Sequence, residues 1–88
     1  MKKVEDFILR EIAGEYVLVP TGSASKVFDG IITFNEQAAF LWNNIDECET
    51  VEALVKKLTD EYDVDEEVAK RDVEVFVSQL LAAGIINK

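Results

Sequence analysis

The chain has 88 residues, which allows one small domain and excludes large catalytic architectures such as barrels and doubly wound sheets. Apolar residues make up 49% of the sequence, a share that favours a folded domain over a disordered acidic tail. Nine basic and 18 acidic residues give a net charge of −9. Such a surface repels phosphate, so nucleic acid and anionic membranes are not expected as partners.

Residues that carry catalysis or bind metals are scarce. The chain has no histidine and one cysteine, Cys48, which excludes an internal disulfide framework. Acidic neighbours are expected to raise the pKa of Cys48 and suppress its thiolate. Asp63, Asp65 and Glu67 alternate as in a calcium loop, but Val68 stands where that loop requires glycine, so a helix cap is the better interpretation. The sequence therefore predicts no enzyme activity, no cofactor and no metal.

No targeting or membrane-spanning signal is visible. The first residues turn acidic before any apolar run, unlike a secretory signal. No apolar stretch approaches the roughly 20 residues that cross a bilayer. We therefore expect a cytoplasmic protein without a membrane partner.

The first 34 residues are predicted to form a small antiparallel sheet. Phe7 to Ile12 and Glu15 to Pro20 are rich in β-branched and aromatic residues, and Ala13–Gly14 between them predicts a tight turn. Asp29–Gly30 is a second turn signal, which leads into a third strand at Ile31 to Phe34.

Residues 35–88 are predicted to form three helices. They carry a net charge of −8, against −1 for residues 1–34. Asn35, Thr50 and Asp65 each stand one residue before a predicted helix and are suited to cap it. Gly84 is expected to end the third helix near Ala83. The apolar pair that follows must dock elsewhere on the domain.

Apolar spacing predicts which helix faces are buried. The expected buried face of the first helix comprises Ala38, Leu41, Trp42 and Ile45. That of the third comprises Ala69, Val73, Phe76, Leu80 and Ala83. The third helix has one flank with Val68, Asp72, Val75 and Gln79, and another with Lys70, Val77 and Leu81. Asp72 is a candidate to satisfy a buried donor.

The predicted order is three strands and then three helices in one α+β domain, residues 1–88, which resembles a winged helix-turn-helix. That fold suggests DNA binding as a function, but the third helix places Lys70 and Arg71 among four acids and lacks a basic stripe. A third strand at the sheet edge would instead accept an extended peptide as an additional strand, beside the last helix.

The same residues resemble the PqqD-like family, the coenzyme PQQ synthesis protein D group. Tyr16 to Pro20 is similar to a family strand, and Gly30 to Trp42 is similar to the strand, Asn-Glu turn and tryptophan helix that follow it. Phe34 and Gln37 stand where leucine and threonine are usual in the family. The downstream similar segments are 50–54, 61–65, 71–76 and 80–86.

The resemblance implies a non-catalytic module that binds the leader segment of a ribosomally made precursor peptide. It would present that peptide to a modifying enzyme, often a radical-SAM maturase. The leader would add as a strand beside the third strand, over the last helix. The implied peptide contacts are Ile31, Ile32, Thr33, Phe34, Lys70, Arg71, Glu74 and Val75. PQQ biosynthesis itself is not implied, because the family is wider than that pathway.

Two alternatives stay open from the sequence. One is a winged-helix transcriptional regulator that binds DNA, and the other is a structural or dimerisation subunit of an enzyme complex. A small domain with an open strand edge can also pair with itself, so a homodimer is compatible with the sequence.

Overall fold

The computed structural model describes residues 1–4, 6–22 and 32–87. The strands are β1 (Lys2–Lys3), β2 (Phe7–Ile12), β3 (Glu15–Pro20), β4 (Ile32–Phe34) and β5 (Ile86–Asn87). The helices are α1 (Glu36–Asn44), α2 (Val51–Glu61) and α3 (Glu66–Ala82), and a 3-10 turn at Ile45–Glu47 follows α1. The predicted α+β architecture, a three-stranded antiparallel sheet followed by three helices, is confirmed. The predicted turn at Asp29–Gly30 and residue Ile31 lie outside the described residues.

The three-stranded sheet has the order β2-β3-β4, with both pairs antiparallel. Leu18 stands opposite Leu9 on one side and opposite Ile32 on the other. Because side chains alternate between faces, this register places Phe7, Leu18 and Phe34 on one face, where all three are buried. β4 pairs with β3 alone among the described strands, so no described strand covers its other edge, which we call the open edge.

All three predicted helix caps form. Asn35 Oδ1 accepts a hydrogen bond from the Ala38 N–H at 2.8 Å, and Thr50 Oγ1 accepts one from the Ala53 N–H at 3.1 Å. Asp65 Oδ1 accepts hydrogen bonds from two N–H groups in the first turn of α3, the nearer at 2.8 Å. These bonds satisfy backbone donors that have no partner inside a helix, which fixes where each helix begins.

The core joins the sheet face to all three helices in one cluster of buried side chains. Trp42 is only 3% exposed and lies with its ring centroid 6.1 Å from that of Phe34. Its predicted place in the core is therefore confirmed. Leu18, Ile45 and Leu54 belong to the same cluster and are fully buried.

The predicted helix faces are confirmed in part: Ala38 and Phe76 pack against the core cluster, whereas the burial of Ala39 and Val77 was not predicted and Ala83 was wrongly placed in the core. On α1, Ala39 is buried and Ala38 is only half-buried. On α3, the buried residues are Ala69, Val73, Val77 and Leu80, whereas Phe76 is half-buried and Ala83 is exposed. Both sets fit the helical period, and the buried set is centred further toward Val77 than the predicted face.

The two ends of the described chain form a second small sheet. β1 pairs antiparallel with β5, with Lys3 opposite Ile86. Gly84, at φ 74°, reverses the chain after α3, and Ile85 and Ile86 become buried. The apolar tail therefore docks as expected, but its partner strand β1 was not predicted. No helix in the described part of the chain is long and apolar enough to cross a membrane.

Candidate functional site

The open edge of β4 lies beside α3, and a depression of about 370 Å³ separates them. We call it the edge groove. It is lined by Ile32, Thr33, Phe34, Asn35, Ala38, Phe76, Gln79, Leu80, Ala83 and Ile85. Most of these side chains are apolar and none is charged. A strand edge with an apolar groove beside it offers backbone pairing together with pockets for alternate side chains.

Two aromatic rings connect the walls of the edge groove. Phe34 of β4 and Phe76 of α3 meet edge to face, with ring centroids 5.5 Å apart. Phe34 is buried, whereas Phe76 is half-buried and lines the groove. The contact holds the strand and the helix at a fixed separation.

A second depression, of about 350 Å³, continues from the edge groove between α1 and α3. We call it the α1–α3 cleft. It is lined by Asn35, Gln37, Ala38, Leu41, Leu58, Arg71, Asp72, Val75, Phe76 and Gln79. Four residues line both depressions, namely Asn35, Ala38, Phe76 and Gln79. The two depressions therefore form one continuous surface.

Five of the eight sequence-derived contact residues lie on this surface. Ile32, Thr33 and Phe34 line the edge groove, and Arg71 and Val75 line the α1–α3 cleft. Ile31 lies outside the described residues.

The other two, Lys70 and Glu74, are placed elsewhere. Lys70 lines a depression between α2 and α3, with Glu52 and Asp60, and Glu74 lines another with Glu49. Residues four apart share a helix face, so both lie on the side of α3 turned away from β4. The structure does not bring them to the groove.

Several lining residues were not predicted as contacts. Gln37 and Ala38 come from the first turn of α1, and Phe76, Gln79 and Ala83 come from α3. The signal that could have found Gln79 is its spacing from Asp72 and Val75, which marks one mixed flank of the helix, whereas Phe76 and Ala83 were assigned to the core face. Asp72, expected to satisfy a buried donor, is instead exposed at the rim of the cleft.

The remaining reactive group, Cys48, is buried. Burial raises the pKa of its thiol, the Lys57 ammonium partly offsets the rise, and the Glu47 carboxylate adds to it. The direction agrees with the sequence, but the main cause is burial rather than neighbouring charge. Within the described ranges, no group of three or more His, Cys, Asp or Glu residues is placed to hold a metal ion.

A model of the coenzyme PQQ synthesis protein D (PqqD) family matches residues 15–86. TbiB1 in complex with the TbiA(beta) leader peptide shares the fold with a TM-score of 0.73 and 21% identity, over 99% of this chain and 95% of that one. Lasso peptide synthetase B1 complexed with the leader peptide has a TM-score of 0.73 and 20% identity, over 99% and 96%. No curated protein matches the chain. With 72 residues matched by the family model, the chain belongs to the PqqD family.

Proposed function

We propose that this protein binds the leader segment of a ribosomally made precursor peptide, which adds to the sheet as a strand on β4. The observation that carries the proposal is the open edge of β4 beside the uncharged edge groove. An edge strand offers unpaired N–H and C=O groups, and an extended peptide satisfies them without a matching sequence. Side chains that alternate along the peptide would enter the groove against Phe76 and supply selectivity.

Likeness to other proteins supports the same proposal. Family membership covers 72 residues, including β3, β4 and all three helices. Two proteins that share the fold over 99% of this chain are complexed with leader peptides.

The bound leader would be presented to a separate modifying enzyme, for which a radical-SAM maturase is the type implied by the family resemblance. This chain would hold the peptide and perform no chemistry itself. The raised pKa of the buried Cys48 thiol supports that division, because a buried neutral thiol is a poor nucleophile. Since the precursor is made on ribosomes, the two are expected to meet in the cytoplasm.

DNA binding is supported less well by this surface than peptide binding is. In a winged helix, α3 would be the candidate recognition helix. It exposes Lys70 and Arg71 among acids that are also exposed, namely Glu66, Glu67, Asp72 and Glu74. Such a helix repels phosphate at the positions where a DNA-binding protein needs basic side chains.

The binding site is tested with an mRNA-displayed library of random dodecapeptides selected on the immobilised protein. We expect enriched peptides to bind the wild type, and Ile32→Lys to weaken that binding by about tenfold or more, because it places a charge in the edge groove. Val68→Lys is the matched control. Val68 is 48% exposed, against 37% for Ile32, and lines none of the depressions described above. Failure to enrich any peptide, or equal affinities for the two variants, would contradict the proposed site.

The partner enzyme is tested by purifying the tagged chain from its native host. Recovery of a radical-SAM-type enzyme together with a short peptide is the expected result. Recovery of nucleic acid would favour the DNA-binding alternative, and an enzyme without a peptide would favour a structural subunit.

A further inference from the structure

The end of β4 poses a specific problem for any peptide bound along it. β4 ends at Phe34, and the chain turns through Asn35 into α1. A peptide strand that continues past Phe34 therefore loses its backbone hydrogen-bond partners. Backbone donors and acceptors removed from water need other partners at that point. The α1–α3 cleft begins there, since Asn35 and Ala38 line both depressions.

The lining of the α1–α3 cleft suits such a continuation. The side chains of Leu41 and Leu58 are buried, and those of Ala38 and Phe76 are half-buried, so the floor of the cleft is apolar. Its polar side chains are Asn35, Gln37, Arg71, Asp72 and Gln79. Carboxamides both donate and accept, Arg71 donates, and Asp72 accepts. Together they can form hydrogen bonds with backbone groups of the peptide that no longer pair with β4. One side chain of the peptide can then fill the apolar part of the cleft.

The lining of the combined surface carries few charges, although the chain is acidic. The edge groove has no charged lining residue, and the cleft has one of each sign, Arg71 and Asp72. Two other depressions in the described part of the chain are lined by acids without a base. One carries Glu11, Glu15 and Glu36 and adjoins the edge groove at Thr33, Phe34 and Asn35, and the other carries Glu49 and Glu74. The lining of the edge groove and the α1–α3 cleft is itself complementary to an uncharged apolar segment, and the adjoining acids lie beyond that lining.

We propose that the α1–α3 cleft is a second subsite for the leader peptide, which takes one large apolar side chain. That side chain comes from the residues next to the strand-forming segment, on the side nearest Asn35. The inference rests on the proposed function and adds the class of leader: an uncharged segment with alternating apolar residues and a further bulky apolar residue beyond them.

Two valines on α3 provide a matched test. Val75 lines the α1–α3 cleft and is 50% exposed, and Val68 is 48% exposed and lines neither depression. Val75→Trp fills the cleft with little effect on the core, and Val68→Trp makes the same change outside it. The probe is the best dodecapeptide selected on the wild type, labelled with fluorescein for anisotropy titration. We expect Val75→Trp to weaken its binding by about tenfold or more and Val68→Trp by less than about twofold. Circular dichroism melts of both variants establish that each is folded.

Changes in the peptide complete the test. Each apolar residue of the probe is replaced by glycine in turn, and we expect one replacement outside the strand-forming segment to weaken binding to the wild type but not to folded Val75→Trp. This coupling identifies the side chain that occupies the cleft. The affinity should also change by less than about twofold between roughly 50 and 500 mM NaCl, because the bound peptide segment is expected to be uncharged and so forms no ion pair with Arg71 or Asp72.

The outcomes separate this inference from the function on which it rests. If Ile32→Lys abolishes binding but Val75→Trp binds as tightly as Val68→Trp, the second subsite is overturned and the strand site stands. Selected peptides with Lys or Arg at the coupled position would also overturn it. If no dodecapeptide binds, the proposed function itself fails.

Discussion

Phe34 and Phe76 meet edge to face across the edge groove, with their ring centroids 5.5 Å apart. One ring belongs to the edge strand and the other to the helix beside it, although 42 positions separate them in the sequence. Phe34 also lies 6.1 Å from Trp42, so the contact continues into the core. The width of the groove is thereby coupled to the packing of the domain.

The first prediction concerns this aromatic pair. Phe34→Leu and Phe76→Leu should together cost less free energy of unfolding than the sum of the single changes, because each single variant already removes the ring contact. We expect a coupling energy of about 0.5–1.5 kcal/mol from urea melts of the four proteins. Additive effects, with no coupling above about 0.3 kcal/mol, would show that the contact does not hold the strand against α3.

The second prediction concerns Trp42, which is 3% exposed and has Lys3 Nζ 5.2 Å from its ring centroid. Trp42→Ala should cost about 3–5 kcal/mol of unfolding free energy, because it leaves a large cavity. That is a major part of the stability of a domain this size. Trp42→Phe keeps an aromatic ring and should cost clearly less. Circular dichroism melts measure both, and an unchanged midpoint for Trp42→Ala would contradict its place in the core.

Much of this architecture was readable from local sequence. The caps at Asn35, Thr50 and Asp65 are side chains that hydrogen-bond within three residues of themselves, so tertiary contacts were not needed to find them. The strands β2 and β3 have six residues each, which is long enough for their composition to show. By contrast, β1 has two residues, and its pairing with β5 depends on contacts between the two ends of the chain.

The site was harder to read than the fold. The sequence separated two flanks of α3, although Val77 of one flank is buried in the core, and it could not decide which flank faces β4, because that depends on how the helix docks. The structure turns the flank with Asp72, Val75 and Gln79 toward the groove, and leaves Lys70 on the other. Net charge did not locate the site either. The net of −9 argues against phosphate-bearing partners, but the edge groove itself has no charged lining residue.

The third prediction concerns the turn between β2 and β3. Ala13 has φ 52° and Gly14 has φ 82°, as in the two-residue turns that match the twist of a hairpin. Left-handed backbone is unfavourable for alanine and better tolerated by asparagine. Ala13→Asn should therefore stabilise the protein, by about 0.5–1 kcal/mol, or a few degrees in Tm. Ala53→Asn, on exposed helical backbone, is the control and should not stabilise. A lower Tm for Ala13→Asn would contradict the assigned turn.

The fourth prediction concerns Cys48 and alkaline pH. Burial raises the pKa of its thiol above the ordinary 9.0, so the unfolded chain loses this proton at lower pH than the folded chain does. The stabilising contribution is complete below pH 9.0 and is lost as the pH rises through the folded pKa. The reactivity of the thiol with Ellman's reagent should also be low near pH 8 until denaturant is added.

Cys48→Ala isolates this effect, because tyrosine and lysine titrations are common to both proteins. Urea melts between about pH 8 and pH 11 should show the stability of the wild type falling more steeply than that of Cys48→Ala. The two curves should run parallel below pH 9.0, where the thiol is protonated in both states. Parallel curves over the whole range, or rapid reaction of the native thiol, would mean that Cys48 is accessible to water. The Met1 ammonium donates a hydrogen bond to the Cys48 carbonyl at 2.8 Å, and this contact would then not be enough to shield Cys48 from water.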